Sequence, residues 1–205
     1  MKTIFIPAKS KLRIDKSKIL EISKQLPNNI AVVYSIQYKT QAEQIKQLLN
    51  KKHNITQFTQ VLVCSKPSFS KQTQAILLIS DGKFHALSLA YGTKLPIYIY
   101  ENNRLTEISN DEVKKLEKRQ KAVHVKFLNA DKVGILVSTK PGQQRLKKAL
   151  ELKRGLKDKK PYILLGDNIN PSEFENFGLD TYINTACPRL DMDEKVVNID
   201  ELTKT

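Results

Sequence analysis

"KVGILVSTKPGQQRLKKALELKRGLKDKKPYILLG", residues 132–166, decides the fold. It opens with the apolar run "KVGILVS" (132–138) and ends with a second one, "YILLG" (162–166). Between them Leu146, Ala149, Leu150 and Leu156 recur at helical spacing, which predicts an amphipathic helix over 142–157. Continuous apolar strands between amphipathic helices belong to parallel sheets covered on both faces.

The same alternation continues in both directions. Upstream, "TIFIP" (3–7) precedes an amphipathic stretch at 15–26. "IAVVYSI" (30–36) precedes another, in which Ala42, Ile45, Leu48 and Leu49 share a face. "VLV" (61–63), "AILLIS" (75–80) and "PIYIY" (96–100) follow, with "FHALSLAYG" reading as a short helix closed by Gly92. A basic helix over about 110–128 leads into the second set, which ends in a turn at 167–171 and the strand "TYIN" (181–184). The expectation is an α/β protein of two similar domains, 1–128 and 129–205, each a small, mainly parallel sheet flanked by helices, facing a shared cleft. Ligands of such sheets gather at the carboxyl ends of strands. Cys64, Cys187 and the segment 138–143 all take strand-end positions in this reading.

With 205 residues and 40% hydrophobic content, the chain can bury one large core or two small ones. Its N-terminus lacks the apolar region and cleavage site of a secretory signal. No run approaches the ~18 apolar residues that span a bilayer. A cytoplasmic protein is expected, with no membrane partner, and its two cysteines are expected to be free thiols or metal ligands. The formal charge of +14 favours an anionic partner: nucleic acid, a ribosome or an acidic protein surface. That charge gathers in "VKKLEKRQKAVHVK" (113–126) and "RLKKALELKRGLKDKK" (145–160). Both read first as solvated helix faces, and a nucleic-acid surface is the secondary reading.

Few residues suggest chemistry. Cys64, in "VLVCSKP", and Cys187, in "NTACPRL", lack the Cys-x-x-Cys spacing of a strong metal signal, and a lone buried cysteine is an ordinary small hydrophobe. In "STKPGQ" (138–143), Ser138 or Thr139 is expected to cap a helix whose first turn holds Pro141. The same geometry would offer backbone N–H groups to a carboxylate or phosphate, with Gly142 allowing close approach. There is no Walker loop and no G-x-G-x-x-G, so nucleotide and nicotinamide chemistry is disfavoured. His53, His85 and His124 match no zinc spacing. His53 and His124 read as surface residues, whereas His85 follows the strand 75–80 and either faces the cleft or serves the fold. No Ser/His/Asp arrangement is legible, and no catalytic residue is assigned.

Taken in order, "QVLVCS" (60–65), "DGKFHALSLA" (81–90), "VGILVSTKPGQQRL" (133–146) and "LLGDNINPSEFENFGLDTYINTACPRL" (164–190) resemble the diphthamide synthase family. That family makes 2-(3-amino-3-carboxypropyl)histidine on translation elongation factor 2. The resemblance runs from about residue 28 to 200. It implies three similar α/β domains, each giving one cysteine to a 4Fe-4S cluster whose remaining iron binds S-adenosylmethionine. Cys64 then matches the middle-domain ligand and Cys187 the last-domain ligand. Ser138, Thr139, Lys140, Pro141, Gly142, Gln143 and His85 are implied to lie beside the S-adenosylmethionine. The reaction implied is transfer of a 3-amino-3-carboxypropyl group, as a radical, to a histidine ring of the factor.

The chain departs from that pattern. It starts where the family's second domain would start, and Val63 stands where the family usually has glycine before the cysteine. Two cysteines fall one thiolate short of the family's three. The expectation is therefore a partner chain supplying the first domain, or a homo-oligomer. The alternatives are a non-catalytic scaffold of the same system and a basic RNA- or ribosome-binding protein. The last is weakened by the seven Tyr and seven Phe, which fall mostly in strand or helix cores rather than between basic residues.

Overall fold

The structure, a computed structural model, describes residues 4, 6, 8–62, 67–188 and 195–202. The chain forms two compact units, Met1–Leu116 and Glu117–Thr205.

The first unit is built around the most apolar runs. β1 (Asn29–Tyr34) and β3 (Ala75–Ile79) are buried along nearly their whole length, as strands covered on both faces must be. β2 (Asn54–Gln60) and β4 (Ile97–Glu101) pair with them in parallel, and β5 (Arg104–Glu107) closes the sheet antiparallel to β4. The turn between those two uses Asn102 and Asn103, both with positive φ (49° and 59°), the backbone a two-residue hairpin demands. The strand order is β2-β1-β3-β4-β5. α1 (Lys16–Ser23) and α2 (Lys39–Leu49) cover one face, where Ile19, Ile22, Ala42, Ile45 and Leu49 pack with Val32, Leu77 and Ile79. Asp15 starts α1 by accepting from the backbone N–H of Ser17 and Lys18. α3 (Phe84–Thr93) covers the other face through Ala86, Leu89 and Ala90.

The second unit repeats the pattern with four parallel strands: β6 (Lys132–Ser138), β7 (Lys160–Gly166), β8 (Thr181–Asn184) and β9 (Val196–Asn198), in the order β7-β6-β8-β9. α4 (Asn110–Asn129) begins in the first unit, and its later part sets Val123 and Phe127 against one face of this sheet beside Ala149 of α5 (Leu146–Gly155). On the opposite face Phe174, from the 3-10 segment Pro171–Phe177, packs with Leu136, Tyr182 and Val196. A short helix, α6 (Ile199–Leu202), follows β9. In both sheets the first strand of the unit lies between the second and the third. The switch in winding direction therefore falls between β1 and β3, and between β6 and β8, the places where such sheets open a crevice.

Four details differ from the sequence reading. The strand expected at 61–63 lies earlier, at β2: its polar alternation suits an edge and hides it, while Val61 only continues the ladder through its N–H to Tyr34 O, and residue 63 lies outside the described residues. α3 runs through Gly92 and is closed by Lys94, in the left-handed conformation at φ 60°. The core side of α5 carries Leu152 rather than Leu150, which is exposed, because Leu146, Ala149, Leu152 and Leu156 share one side of the helix and Leu150 falls off that stripe. Most of the run 3–7 lies outside the described residues, and Ile4 and Ile6 are exposed and in no strand. Among the described residues no helix is long and apolar enough to cross a membrane.

Candidate cofactor site at the carboxyl end of the second sheet

β6 ends at Ser138, and the loop beyond it is fastened to the end of its neighbour β7. Thr139 N–H donates to Gly166 O at 3.1 Å, and its hydroxyl donates to the Asp167 carboxylate. Lys140 donates from Nζ to Asn168 Oδ1. Ser138 is buried, and its Oγ accepts from Lys140 N–H at 3.2 Å. Residues 140–143 then form a reverse turn closed by Gln143 N–H to Lys140 O at 3.0 Å. Gly142 has φ +79°, so proline followed by a left-handed glycine gives a type II turn.

This corrects the helix expected from 142. A positive φ at Gly142 cannot belong to the first turn of a right-handed helix, and α5 begins only at Leu146, after an Arg145 N-cap with no side-chain hydrogen bond. Ser138 and Thr139 cap nothing. The segment instead presents Thr139, Lys140, Pro141 and Gly142 to solvent, with no atom within 4 Å of where a Gly142 Cβ would sit. A ligand can approach this backbone closely, but it meets a turn rather than a helix end.

β8 leaves the sheet next door. Leu136 of β6 pairs with Asn184 of β8, and Thr185 donates both its N–H (3.1 Å) and its hydroxyl (2.7 Å) to Leu136 O. Asn184, 1% exposed, uses its whole carboxamide. Nδ2 donates to Cys187 O and to Asn198 Oδ1, each at 2.7 Å, and Oδ1 accepts from Ala186 N–H at 2.8 Å. Asn198, at the end of β9, donates to Pro188 O at 3.3 Å. Cys187 thus sits half-buried, its thiol free, on a loop whose backbone is held from both neighbouring strands.

Cys187 and Ser138–Gln143 therefore leave the same sheet end from the two strands that flank the switch in winding. His85 belongs to the first unit, as the second residue of α3 after β3, half-buried with its ring edge-on to Phe84 at 6.3 Å. At that sheet end the Tyr38 hydroxyl donates to Asp81, and burial, reinforced by this carboxylate, pushes the Tyr38 phenol up to about 12. Cys64 lies outside the described residues. His53 is half-buried: its Nδ1–H donates to Pro27 O and its Nε2 accepts from Ser23 Oγ, both at 2.8 Å, tying the end of α1 to the approach to β1. His124 is half-buried near Phe127.

Sequence reasoning missed Asn184, Thr185, Asn198 and Asp167. Asparagine just after an apolar run is an Asx-turn signal that could have pointed to Asn184. No cluster of three or more His, Cys, Asp or Glu suited to a metal ion occurs among the described residues. What the second unit offers is one soft thiolate donor on a fixed backbone, which fits a single iron ligand but not a self-contained metal site.

The family described as "Putative diphthamide synthesis protein" matches residues 1–197. The chain is 30% identical to the 2-(3-amino-3-carboxypropyl)histidine synthase of Methanocaldococcus jannaschii, over 96% of its own length and 58% of that relative. It is 28% identical to the synthase of the same name from Pyrococcus horikoshii, over 94% and 60%. It spans about 60% of the length of these curated relatives. In fold it matches the crystal structure of Dph2 from Pyrococcus horikoshii, with a TM-score of 0.79 at 24% identity over 94% of this chain and 62% of that one. The structure of that Dph2 with a 4Fe-4S cluster matches with a TM-score of 0.78 at 23% identity, over 96% and 63%. Two mainly parallel sheets that share a strand order, a strand-end cysteine on the strand next to the one leading into the 138–143 turn, and a match along nearly the whole sequence place this chain in the diphthamide synthesis protein family.

Proposed function

We propose that the chain is a component of diphthamide synthesis that transfers a 3-amino-3-carboxypropyl group from S-adenosylmethionine to a histidine of translation elongation factor 2. In this reading residues 1–128 correspond to the family's middle domain and 129–205 to its last. The observation that carries it is Cys187, presented at a sheet end on a backbone held from both sides, one strand away from the 138–143 turn. Cys64 and Cys187 are the proposed ligands of a 4Fe-4S cluster, and Ser138–Gln143 with His85 the proposed contacts of S-adenosylmethionine. When bound, the cluster supplies the electron that opens the carbon–sulfur bond of S-adenosylmethionine.

The protein's own residues have three tasks. Cys187 holds iron as a thiolate, which costs the loop no reorganisation because its backbone is already fixed. The turn at Gly142 admits the amino-acid end of the cofactor close to the main chain. Lys140, held by Asn168 at the same turn, sets a positive charge where a carboxylate can pair with it. A cluster with one iron open to a cofactor needs three thiolates, and two are present in this sequence. The third comes from outside these 205 residues, and a partner chain is its proposed source.

The test is anaerobic incubation of the chain with reductant, S-adenosylmethionine and elongation factor 2, with and without a chain carrying one further strand-end cysteine, followed by mass measurement of the factor. Transfer only in the supplemented mixture is expected. No transfer in either mixture contradicts the proposed activity, and transfer by the chain alone contradicts the ligand count.

A further inference from the structure

We infer that Asn184 is the positioning residue of Cys187, setting the direction of its thiol rather than merely stabilising the loop. The inference deepens the proposed function and rests on Cys187 being an iron ligand. An asparagine carboxamide has two N–H donors and one carbonyl acceptor, and here all three are engaged in a buried setting. One donor reaches the carbonyl oxygen of Cys187 itself. That bond holds the peptide joining Cys187 to Pro188 in place, and with it the Cα from which the Cys187 side chain departs. Asn198 fixes the next carbonyl, Pro188 O, from β9.

The ties form a chain from the β8–β9 pair to the ligand residue, and only a carboxamide fits at its centre. Aspartate would keep the shape and the bond from Ala186 N–H. It would also turn two donors into acceptors facing Cys187 O and Asn198 Oδ1, with no water to replace the lost bonds at 1% exposure. Thr185 is the internal contrast. It lies in the same loop and is equally buried, but both its bonds run to Leu136 O and neither touches Cys187. Outer hydrogen-bond partners of metal ligands typically account for about ten- to hundredfold in metal affinity.

The experiment compares wild type, Asn184→Asp, Asn184→Ala and Thr185→Val in two measurements. The first is the rate of iodoacetamide alkylation at Cys187 in the metal-free chain, read by peptide mass spectrometry with Cys64 as internal standard. The second is iron retained after anaerobic reconstitution with iron, sulfide and a small thiol that completes the ligand set. The Asn184 variants are expected to alkylate several times faster at Cys187 with Cys64 unchanged, and to hold iron about ten- to hundredfold more weakly. Thr185→Val, which keeps the N–H bond to Leu136 O, should melt earlier yet change both measurements far less than the Asn184 variants. If the Asn184→Asp rate at Cys187 equals wild type, or if Thr185→Val accelerates it as much, the inference is overturned. An unfolded Asn184→Ala leaves Asn184→Asp to decide. Wild type that retains no iron contradicts the proposed function instead, and the alkylation rates still decide the role of Asn184.

Discussion

Thr185 donates two hydrogen bonds, from its N–H and its hydroxyl, to the single carbonyl oxygen of Leu136. They stitch the loop of Cys187 onto the strand that leads into the 138–143 turn. The hydroxyl bond is fully buried and has no water to replace it. Thr185→Val keeps the shape and the N–H bond, so unfolding in urea should show a loss of about 1 kcal/mol. An unchanged midpoint would mean that the hydroxyl contributes nothing.

Gly134 lies against the ring of Tyr182. A Cβ there would come within 2.4 Å of Tyr182 Cδ1, and that ring is buried, stacked on Phe174 and bonded through its hydroxyl to Phe174 O. Gly134→Ala should therefore destabilise by about 1–3 kcal/mol through overpacking. Gly92→Ala, inside α3 with open space around the new methyl, should stabilise by about 0.5–1 kcal/mol. Thermal melts of the two variants should shift in opposite directions.

Gly142 answers differently, because its restriction is conformational. At φ +79° any side chain is strained, a β-branched one most, although nothing crowds the position. Gly142→Asn should cost less stability than Gly142→Val, and both should weaken S-adenosylmethionine binding measured by calorimetry. Equal melting temperatures for the two variants would contradict the left-handed turn.

Acid should loosen the first unit in a specific window. The Lys83 ammonium, at 2.7 Å, and the Ser109 N–H hold the Glu112 carboxyl down to about 2. A carboxyl whose folded value lies below its unfolded one, ~4.3, stabilises the fold above that unfolded value. The contribution fades as pH falls toward about 2. Asp15, held down by the Ser17 hydroxyl, acts with the same sign in the first unit, and Asp180, held down by the N–H groups of Lys132 and Asp131, does so in the second. Lys83→Gln should flatten the fall of melting temperature over this range, and an unaltered slope would exclude the Glu112 contribution.

Much of the fold is legible because burial on both faces leaves an unmistakable mark. "KVGILVS" and "TYIN" are strands over the residues where the sequence puts them, since apolar runs that short fit nothing else between amphipathic helices. β2 and β5 escaped because edge strands need polar residues, and Thr56, Gln57, Thr59 and Thr106 obscure their periodicity. The 138–143 segment was legible as a strand-end feature but not in shape: Pro141 followed by Gly142 suits both a helix start and a type II turn, and only the fastening to Asp167 and Asn168 selects the turn. The hold on Cys187 was least legible, since its partners Asn184 and Asn198 are 14 residues apart and meet only once β8 and β9 pair.

Electron paramagnetic resonance of the anaerobically reconstituted and reduced chain, with a small thiol present to complete the ligand set, tests the central claim most directly. The account predicts a four-iron cluster signal in wild type that is weakened by Cys64→Ala or Cys187→Ala and lost when both are replaced. The same signal in the double variant as in wild type would contradict it.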